Sequence, residues 1–287
     1  MSLKINKTKS FVVLLLTALV CFPPRTGAQD YLPAEELGAI AAASVGILYF
    51  GETSQNNSDT RKSLIHGPIL FDKALQKFLG GKCSEGKTNF LDNSYGAVVT
   101  PAIAGTILLA ADLSWPQNGD KGKFVGQDMF LYTTGIIATK GVTGLAKGIV
   151  SRQRPLPCLE PGIAELREDI NYAYDHSSFF SGHVSGAFFA TTFLNKRLRS
   201  IMRHELTPDD YDSWSWAPPA LLFSWASVVG WSRIHAYKHF FTDIAAGALA
   251  GFLMAELFYS FNNYDIAASP KSAAFGANKI IYVRFTF

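Results

Sequence analysis

Long apolar segments separated by short polar stretches make up most of the chain. The apolar segments are rich in Gly, Ala, Ser and Leu, and most of them are too long for β-strands. Polar runs such as WPQNGDKGK (115–123) and ELTPDDYDSW (205–214) separate them. The pattern therefore predicts an all-α helical bundle, with helices near 34–50, 68–79, 95–113, 127–149, 182–202, 217–231 and 239–261.

The first residues have the pattern of a secretory signal peptide. Three lysines precede the apolar run FVVLLLTALVCF (11–22), and small residues at 26–28 precede Gln29. The apolar run is shorter than the roughly 20 residues that a bilayer span needs, which favours cleavage near Gln29 over a retained anchor. We therefore expect an exported protein, in the periplasm or on the periplasmic side of a bacterial membrane.

The C-terminal segment 263–287 follows a two-residue rather than a helical period. In KIIYVRFTF, the residues Ile281, Val283, Phe285 and Phe287 lie on one side, as they would in a β-strand. The predicted organisation is then a signal peptide (1–28), N-terminal helices and a loop (29–94), a helical core (95–262) and a short β-like tail (263–287).

The charge of the chain argues against a nucleic-acid partner. Removal of residues 1–28 takes away four cations and no acid, so the formal net charge falls from +3 to −1. A nucleic-acid surface requires clustered Lys and Arg on a strongly basic domain, and this chain has no such domain.

Membrane insertion is left open by the sequence. The windows 93–111 and 214–232 are free of charge and each reaches 19 residues, but both contain Pro and Ser. The mean hydropathy of +0.12 is low for a chain made mostly of bilayer helices. One observation favours insertion: an apolar helix is followed by a basic cluster typical of a cytoplasmic loop, formed by Lys196, Arg197, Arg199 and Arg203.

Two further patterns concern the segment 81–88 and a pair of cysteines. GKCSEGKT (81–88) matches the phosphate-loop pattern, but the segment before it looks helical rather than like a buried strand, so we expect an exposed loop. Cys83 and Cys158 can form a disulfide in an oxidising compartment, although sequence alone does not give their separation.

Three separated segments contain the residues that a phosphoryl-transfer site without metal or cofactor would need. KGIVSRQRP (147–155) and FSGH (180–183) precede SRIHAYKHFFTD (232–243). The cations Lys147, Arg154 and Arg233 can hold the three equatorial oxygens of a phosphoryl group. The backbone amides of Ser181 and Gly182, at the start of a helix, can bind the same anion.

Two histidines and one carboxylate complete this hypothesis. His239 is the expected nucleophile, and Asp243, one helical turn further on, would accept a hydrogen bond from its other ring nitrogen. His183 would protonate the leaving oxygen and later activate water. The alternative is a metal site, because His235, His239 and Asp243 follow one another at intervals of four residues, a spacing that on a helix would place them on one face.

The three segments resemble the signatures of the type 2 phosphatidic acid phosphatase superfamily, which includes bacterial nonspecific acid phosphatases and vanadium haloperoxidases. Those signatures are K-x6-R-P, P-S-G-H and S-R-x5-H-x3-D, and Phe180 stands where the family usually has proline. The resemblance covers roughly residues 95–262 and implies a helical bundle with a phosphohistidine mechanism.

The resemblance implies an exported phosphatase that hydrolyses phosphomonoesters or diphosphates. The aromatic residues around the motifs favour a phosphorylated lipid over a small phosphate ester as the substrate. The alternatives are a soluble periplasmic acid phosphatase, a vanadate-dependent haloperoxidase, a metal-binding protein and a structural protein on the same scaffold. The sequence does not indicate an oligomeric state.

Overall fold

A computed structural model of the protein describes residues 31–56, 63–65, 67–81, 95–114, 121–155 and 176–262. Within these residues the chain is helical and contains no strand, which confirms the all-α prediction. A π-helical turn, Tyr95–Val99, leads directly into the third helix. The α-helices are α1 (Ala34–Asn56), α2 (Asp72–Leu79), α3 (Thr100–Ser114), α4 (Lys121–Val150), α5 (Gly182–Glu205), α6 (Pro208–Trp214), α7 (Ala217–His235) and α8 (Phe241–Ser260).

The long helices run in two opposite directions. Helices α1 and α4 are parallel. Leu32, just before α1, contacts Gln127 near the start of α4, and Ser54 near the end of α1 contacts Gly148 near the end of α4. Helix α5 runs the opposite way to α4, since Thr143 and Ser185 are hydrogen-bonded at 3.0 Å. As a result, α4 and α7 end, and α5 and α8 begin, at the same end of the bundle.

Glycines allow the closest approach between α1 and α4. A Cβ atom on Gly51 would overlap the backbone of Gly141, and one on Gly141 would lie 2.6 Å from the backbone of Ile47. Any larger residue at these positions would force the two helices apart. This close packing fixes the position of the last turn of α4, which contains Lys147, along the bundle axis.

Aromatic rings fill the centre of the bundle. Phe189 and Phe193 of α5 are fully buried and stack on each other, with ring centroids 6.0 Å apart. Tyr132 of α4 and Phe258 of α8 contact this pair from either side. The apolar centre separates two buried groups of charged residues, one at each end of the bundle.

At one end, Arg197 is bound by two carboxylates. Its Nε atom lies 2.6 Å from Asp112 of α3 and 3.0 Å from Asp128 of α4, and all three side chains are at most 1% exposed. Asn262 donates a hydrogen bond to the other oxygen of Asp128, at 2.5 Å. The guanidinium also covers the ring of Phe124. This group, Arg197, Asp112 and Asp128, is called the paired cluster below.

The predicted helix positions are close to those observed, with three differences. Helix α4 begins at 121 rather than 127, and α1 extends to 56 rather than 50. The polar stretch 205–214, expected to be a separator, contains α6. Thr207 caps this helix by accepting from the amide of Asp210 at 3.2 Å, and Pro208 occupies its first turn. The expected signal peptide, both cysteines, the core of the phosphate-loop pattern and the C-terminal tail lie outside the described residues.

Three helical segments are long and apolar enough to cross a membrane, judged by length and composition. They are Ala34–Asn56, Ala97–Ser114 and Phe241–Ser260. Their surfaces agree with this, because Ile103 and Ile107 of α3 and Leu249, Phe252 and Leu253 of α8 are exposed at helical spacing. Of the two charge-free windows, 93–111 overlaps one of these segments and 214–232 corresponds to most of α7.

Candidate active site

The antiparallel arrangement brings the three signature segments to one end of the bundle. Lys147 lies in the last turn of α4, and His183 lies in the first turn of α5. Arg233 occupies the last turn of α7, and Asp243 the first turn of α8. Segments that are about ninety residues apart in sequence therefore share one buried site.

The segment that contains His235, His239 and Asp243 is not one helix. Helix α7 ends at His235, a turn covers 236–240 with Tyr237 at φ 54°, and α8 begins at Phe241. The ring of His235 packs on Trp231, with centroids 5.0 Å apart, and lies where a side chain on Gly81 would be. The three side chains therefore do not share one helical face, and the break agrees with the predicted helix ends near 231 and 239.

The same geometry counts against the alternative metal site. Because the turn at 236–240 directs His235 away from His239, the proposed ligands do not converge. No group of three His, Cys, Asp or Glu side chains close enough to hold a metal ion occurs in the part of the chain that the structure describes.

His239 is buried in the turn with its two ring nitrogens in different surroundings. Its Nδ1 atom lies 2.8 Å from the carbonyl oxygen of Ser178, which can only accept, so Nδ1 carries the proton. Its Nε2 atom lies 3.5 Å from a guanidinium nitrogen of Arg154, which has no lone pair to offer. The unprotonated Nε2 therefore faces the cationic side of the site, as a nucleophile requires.

Asp243 is placed differently from our expectation. Its closest oxygen is 3.8 Å from Nδ1 of His239, so the Ser178 carbonyl, and not this carboxylate, accepts the histidine proton. The same oxygen accepts from the hydroxyl of Ser178 at 2.5 Å and from the amide of Phe240 at 2.9 Å. Asp243 thus fixes both the carbonyl-bearing residue and the turn that hold the imidazole.

Three cations surround His239. Arg154 donates to the carbonyl oxygens of Lys238 at 2.8 Å and Ser177 at 3.3 Å, which fixes its guanidinium beside the turn. Arg233 is 3% exposed, and Lys147 approaches α5 so closely that its Nζ would lie 3.9 Å from a Cβ on Gly182. We call Lys147, Arg154 and Arg233 the cationic cluster.

The cationic cluster changes the protonation of its own members. Burial, followed by the charges of Arg154 and Arg233, lowers the pKa of Lys147 to about 7. Burial and the neighbouring cations also lower the pKa of His239 well below its usual value. His239 is therefore neutral at neutral pH, and an anion bound here would relieve the repulsion among the cations.

The start of α5 provides only part of the expected anion site. The amide of Ser181 donates to the carbonyl oxygen of Asp243 at 3.2 Å, so the expectation that this amide faces the substrate is wrong. The Ser181 hydroxyl is fully buried and has no hydrogen-bond partner within the described residues. Gly182 begins the helix and lies beside Lys147, which leaves its amide as a candidate donor.

Sequence reasoning missed a second group of residues behind the site. The guanidinium of Arg152 is fully buried and lies 2.6 Å from both Asp243 and Asp72. It also donates to the carbonyl oxygen of Gly67 and to the hydroxyl of Thr242. Asp72 is the first residue of α2, and it also accepts from the amide of Thr242 at 2.9 Å. Arg152 thus links α2 to the carboxylate that supports the His239 turn.

Comparison with known proteins agrees with this arrangement. Residues 128–267 match the model of the PAP2 superfamily, which confirms the resemblance seen in the motifs. This segment, just under half of the chain, is therefore similar to the PAP2 superfamily. The match includes every site residue that the sequence predicted, whereas Asp72 lies outside it.

Similar proteins include lipid phosphatases of eukaryotes. A probable diacylglycerol pyrophosphate phosphatase 1 of Schizosaccharomyces pombe is 38% identical over 82 residues, which is 29% of each chain. Phospholipid phosphatase 2 of Bos taurus is 26% identical over 155 residues, 47% of this chain and 49% of the relative. The chain thus spans about half of the bovine relative and less than a third of the yeast one. No solved structure gave a significant match.

Proposed function

We propose that the protein is a phosphatase of lipid phosphates that works through a phosphohistidine on His239 and uses no metal. The observation that carries this proposal is the orientation of His239, whose unprotonated Nε2 faces the buried cationic cluster. The relatives named above are phosphatases of phospholipids or of diacylglycerol pyrophosphate by name, which supports the same reaction.

The first step is attack of Nε2 of His239 on phosphorus. The bond from phosphorus to the leaving oxygen breaks, and His183 supplies a proton to that oxygen. Lys147, Arg154 and Arg233 offset the negative charge on the three equatorial oxygens. The carbonyl of Ser178 keeps its hydrogen bond to Nδ1 as the ring becomes positive, and Asp243 at 3.8 Å stabilises that charge.

The second step is hydrolysis of the phosphohistidine. His183, now neutral, takes a proton from water, and the water oxygen attacks phosphorus on the side opposite Nε2. The bond from phosphorus to nitrogen breaks, which returns His239 to its neutral form and releases inorganic phosphate. The same cationic cluster stabilises both transition states, because the same three oxygens carry the charge.

The lipid nature of the substrate follows from the surface of the bundle. Leu221, Trp225 and Val228 form an exposed apolar face on α7, and the exposed faces of α3 and α8 are similar. We infer that these faces contact the bilayer. Apart from the buried Arg197, the basic residues of α5 at 196–203 lie at the end opposite the site, so the site would face away from the cytoplasm, as expected for an exported enzyme.

Release of phosphate from short-chain phosphatidate by the purified protein tests this proposal. Replacement His239→Ala should lower turnover by about 10⁴-fold or more, since the nucleophile is lost. The matched control is His235→Ala, four residues away, which should keep turnover within about threefold because its ring packs on Trp231. Near-normal turnover of His239→Ala would reject the mechanism.

A further inference from the structure

Helix α2 lies across the end of the bundle that contains the site. Asp72 in its first turn accepts from the amide of Thr242 at the start of α8, at 2.9 Å. One turn later, Gln76 donates to the carbonyl oxygen of Ile234 near the end of α7, at 2.8 Å. With eight residues, or roughly 12 Å, α2 is too short to cross a bilayer. It therefore lies at the level where the long helices end.

One exposed face of α2 is apolar. Phe71, the residue before the helix, and Phe78 are seven residues apart and so lie on the same side. They are 72% and 82% exposed, and Leu70 beside them is 83% exposed. So many exposed large apolar side chains on one short segment indicate a surface that contacts another apolar phase.

The other exposed face of α2 is positively charged. Lys73 and Lys77 are four residues apart on one side of the helix, and both are exposed. The only carboxylate of the helix, Asp72, is fully buried and bound to Arg152 at 2.6 Å, so it does not offset the charge of the lysines at the surface. The exposed surface of α2 thus combines two cations with a row of apolar side chains.

The apolar face of α2 continues onto the ends of the long helices. Phe241 at the start of α8 is 40% exposed and precedes Thr242, whose amide binds Asp72. Trp231 near the end of α7 is also partly exposed. Tryptophan at the end of an apolar helix is typical of the boundary between hydrocarbon and lipid headgroups. The surface of α2 is therefore continuous with the faces that we infer contact the bilayer.

We propose that α2 is a membrane-surface helix that binds the headgroups of anionic lipids, which are not themselves substrates. Its apolar face enters the outer part of the hydrocarbon, while Lys73 and Lys77 extend their ammonium groups among the lipid phosphates. A neutral lipid surface would match the apolar face but not the two cations, so the partner is an anionic lipid. This rests on the bilayer contact inferred with the proposed function, and not on the chemistry at His239.

The position of α2 determines where the site meets the lipid. Asp72 joins α2 to Arg152 and Thr242, and both lie beside the carboxylate that supports the His239 turn. The headgroup layer that α2 binds is thus at the level of the site. A phosphate at the headgroup end of a lipid can then reach the cationic cluster while the acyl chains of that lipid stay in the bilayer.

Photo-cross-linking of the full chain in vesicles of equal amounts of phosphatidylcholine and phosphatidylglycerol tests this assignment. Benzoylphenylalanine in place of Phe78 should form lipid adducts, which mass spectrometry of the labelled peptide identifies. Phosphatidylglycerol should exceed phosphatidylcholine among these adducts by about three- to tenfold, because two cations lie beside the apolar face. The added double substitution Lys73→Gln, Lys77→Gln should lower this ratio to about one without removing the adducts.

Benzoylphenylalanine at Leu249, on the exposed face of α8, is the matched control. It should form lipid adducts with a ratio of about one, with or without the two lysines. The same probe in place of Phe71 gives a second reading of the apolar face if the Phe78 variant does not fold.

The other outcomes separate α2 from the rest of the account. Lipid adducts at Leu249 but none at Phe78 overturn the assignment, and so does a ratio of about one at Phe78 with both lysines present. Cross-links from Phe78 to a second copy of the chain, without lipid adducts, overturn it as well. Absence of lipid adducts at Leu249 would remove the bilayer contact itself, whereas turnover of short-chain phosphatidate in detergent tests the phosphatase reaction separately.

Discussion

The two ends of the bundle each contain a buried group of charged side chains, but only the paired cluster includes carboxylates of its own. In the paired cluster, Arg197 lies within 3.0 Å of two carboxylates. Near the cationic cluster, Asp243, the carboxylate whose charge acts on Lys147, is bound by Arg152 at 2.6 Å. Buried charges are costly unless they are paired. The paired cluster therefore links α3, α4 and α5, whereas the cationic cluster gathers three positive side chains around His239, where the proposed reaction would bind an anion.

The largest expected effects come from replacing one cation at each end with methionine. The substitution in the cationic cluster should lower turnover, and the substitution in the paired cluster should lower stability. Lys147→Met removes a charge that burial and its neighbours disfavour. It should lower kcat/KM by about 10²- to 10³-fold, as expected for the loss of one group that stabilises the transition state. It should also leave the apparent melting temperature unchanged or higher, as measured by thermal unfolding in detergent.

Arg197→Met is the counterpart at the paired cluster. It leaves Asp112 and Asp128 buried without a cation, which should cost about 3–5 kcal/mol of stability. The kcat/KM of the remaining folded protein should stay within a few-fold of normal. If Lys147→Met unfolded the protein and Arg197→Met abolished turnover, the contrast between the two ends would be wrong.

Asp72→Asn should show that Arg152 positions Asp243. The substitution removes the charge that holds Arg152 from the α2 side but leaves Asp243 in place. We expect kcat to fall by about tenfold with little change in KM, because a displaced Asp243 would loosen the turn that carries His239. The acid limb of the pH profile of kcat should also move, which a general loss of stability would not cause. An unchanged pH profile with a lower melting temperature would assign Asp72 a structural role only.

The pH dependence of anion binding is the smallest expected effect. Because the pKa of Lys147 is lowered to about 7, this side chain loses its charge as the pH rises through that value. Inhibition by inorganic phosphate should therefore weaken several-fold between about pH 6.5 and pH 8.5, after correction for the ionisation of phosphate itself. In Lys147→Met, inhibition should be weaker than in the unmodified protein at about pH 6.5, similar to it at about pH 8.5, and should lack this step.

In the unliganded protein, by contrast, the loss of charge from Lys147 at higher pH should increase stability. The unfolded chain keeps the lysine proton up to about pH 10.4, whereas the folded protein releases it near 7. The unfolded state thus binds more protons between these values, so the Lys147 contribution to stability improves as the pH rises. This contribution should be absent from Lys147→Met in a comparison of melting temperatures across that range.

Much of the site could be predicted from the sequence, because the spacing of the motifs is local. Lys147, Arg154, His183, Arg233 and His239 were named from three short segments, and the structure brings them to one end of the bundle. A break between α7 and α8 was predicted near 232–238, whereas the path of the turn that carries His239 could not be predicted. Contacts from elsewhere hold the turn, such as that from Arg154 to the Lys238 carbonyl.

Two other features differ in how far the sequence could have revealed them. Asp72 lies 80 residues before Arg152 in a segment without a motif, so nothing local indicated that it would contact the site. Helix α6 carried a readable signal, because Thr207 and Pro208 are typical of a helix start. That signal was missed because the stretch was interpreted only by its polarity.

Trapping of a covalent intermediate tests the central claim most directly. With a ³²P-labelled aryl phosphate, whose leaving group needs little protonation, His183→Ala should form the phosphohistidine but hydrolyse it slowly. Quenching in base, where phosphohistidine is stable, should leave label on the peptide that contains His239, and the double variant His183→Ala, His239→Ala should carry none. Label on another residue, or turnover that persists without His239, would contradict the account.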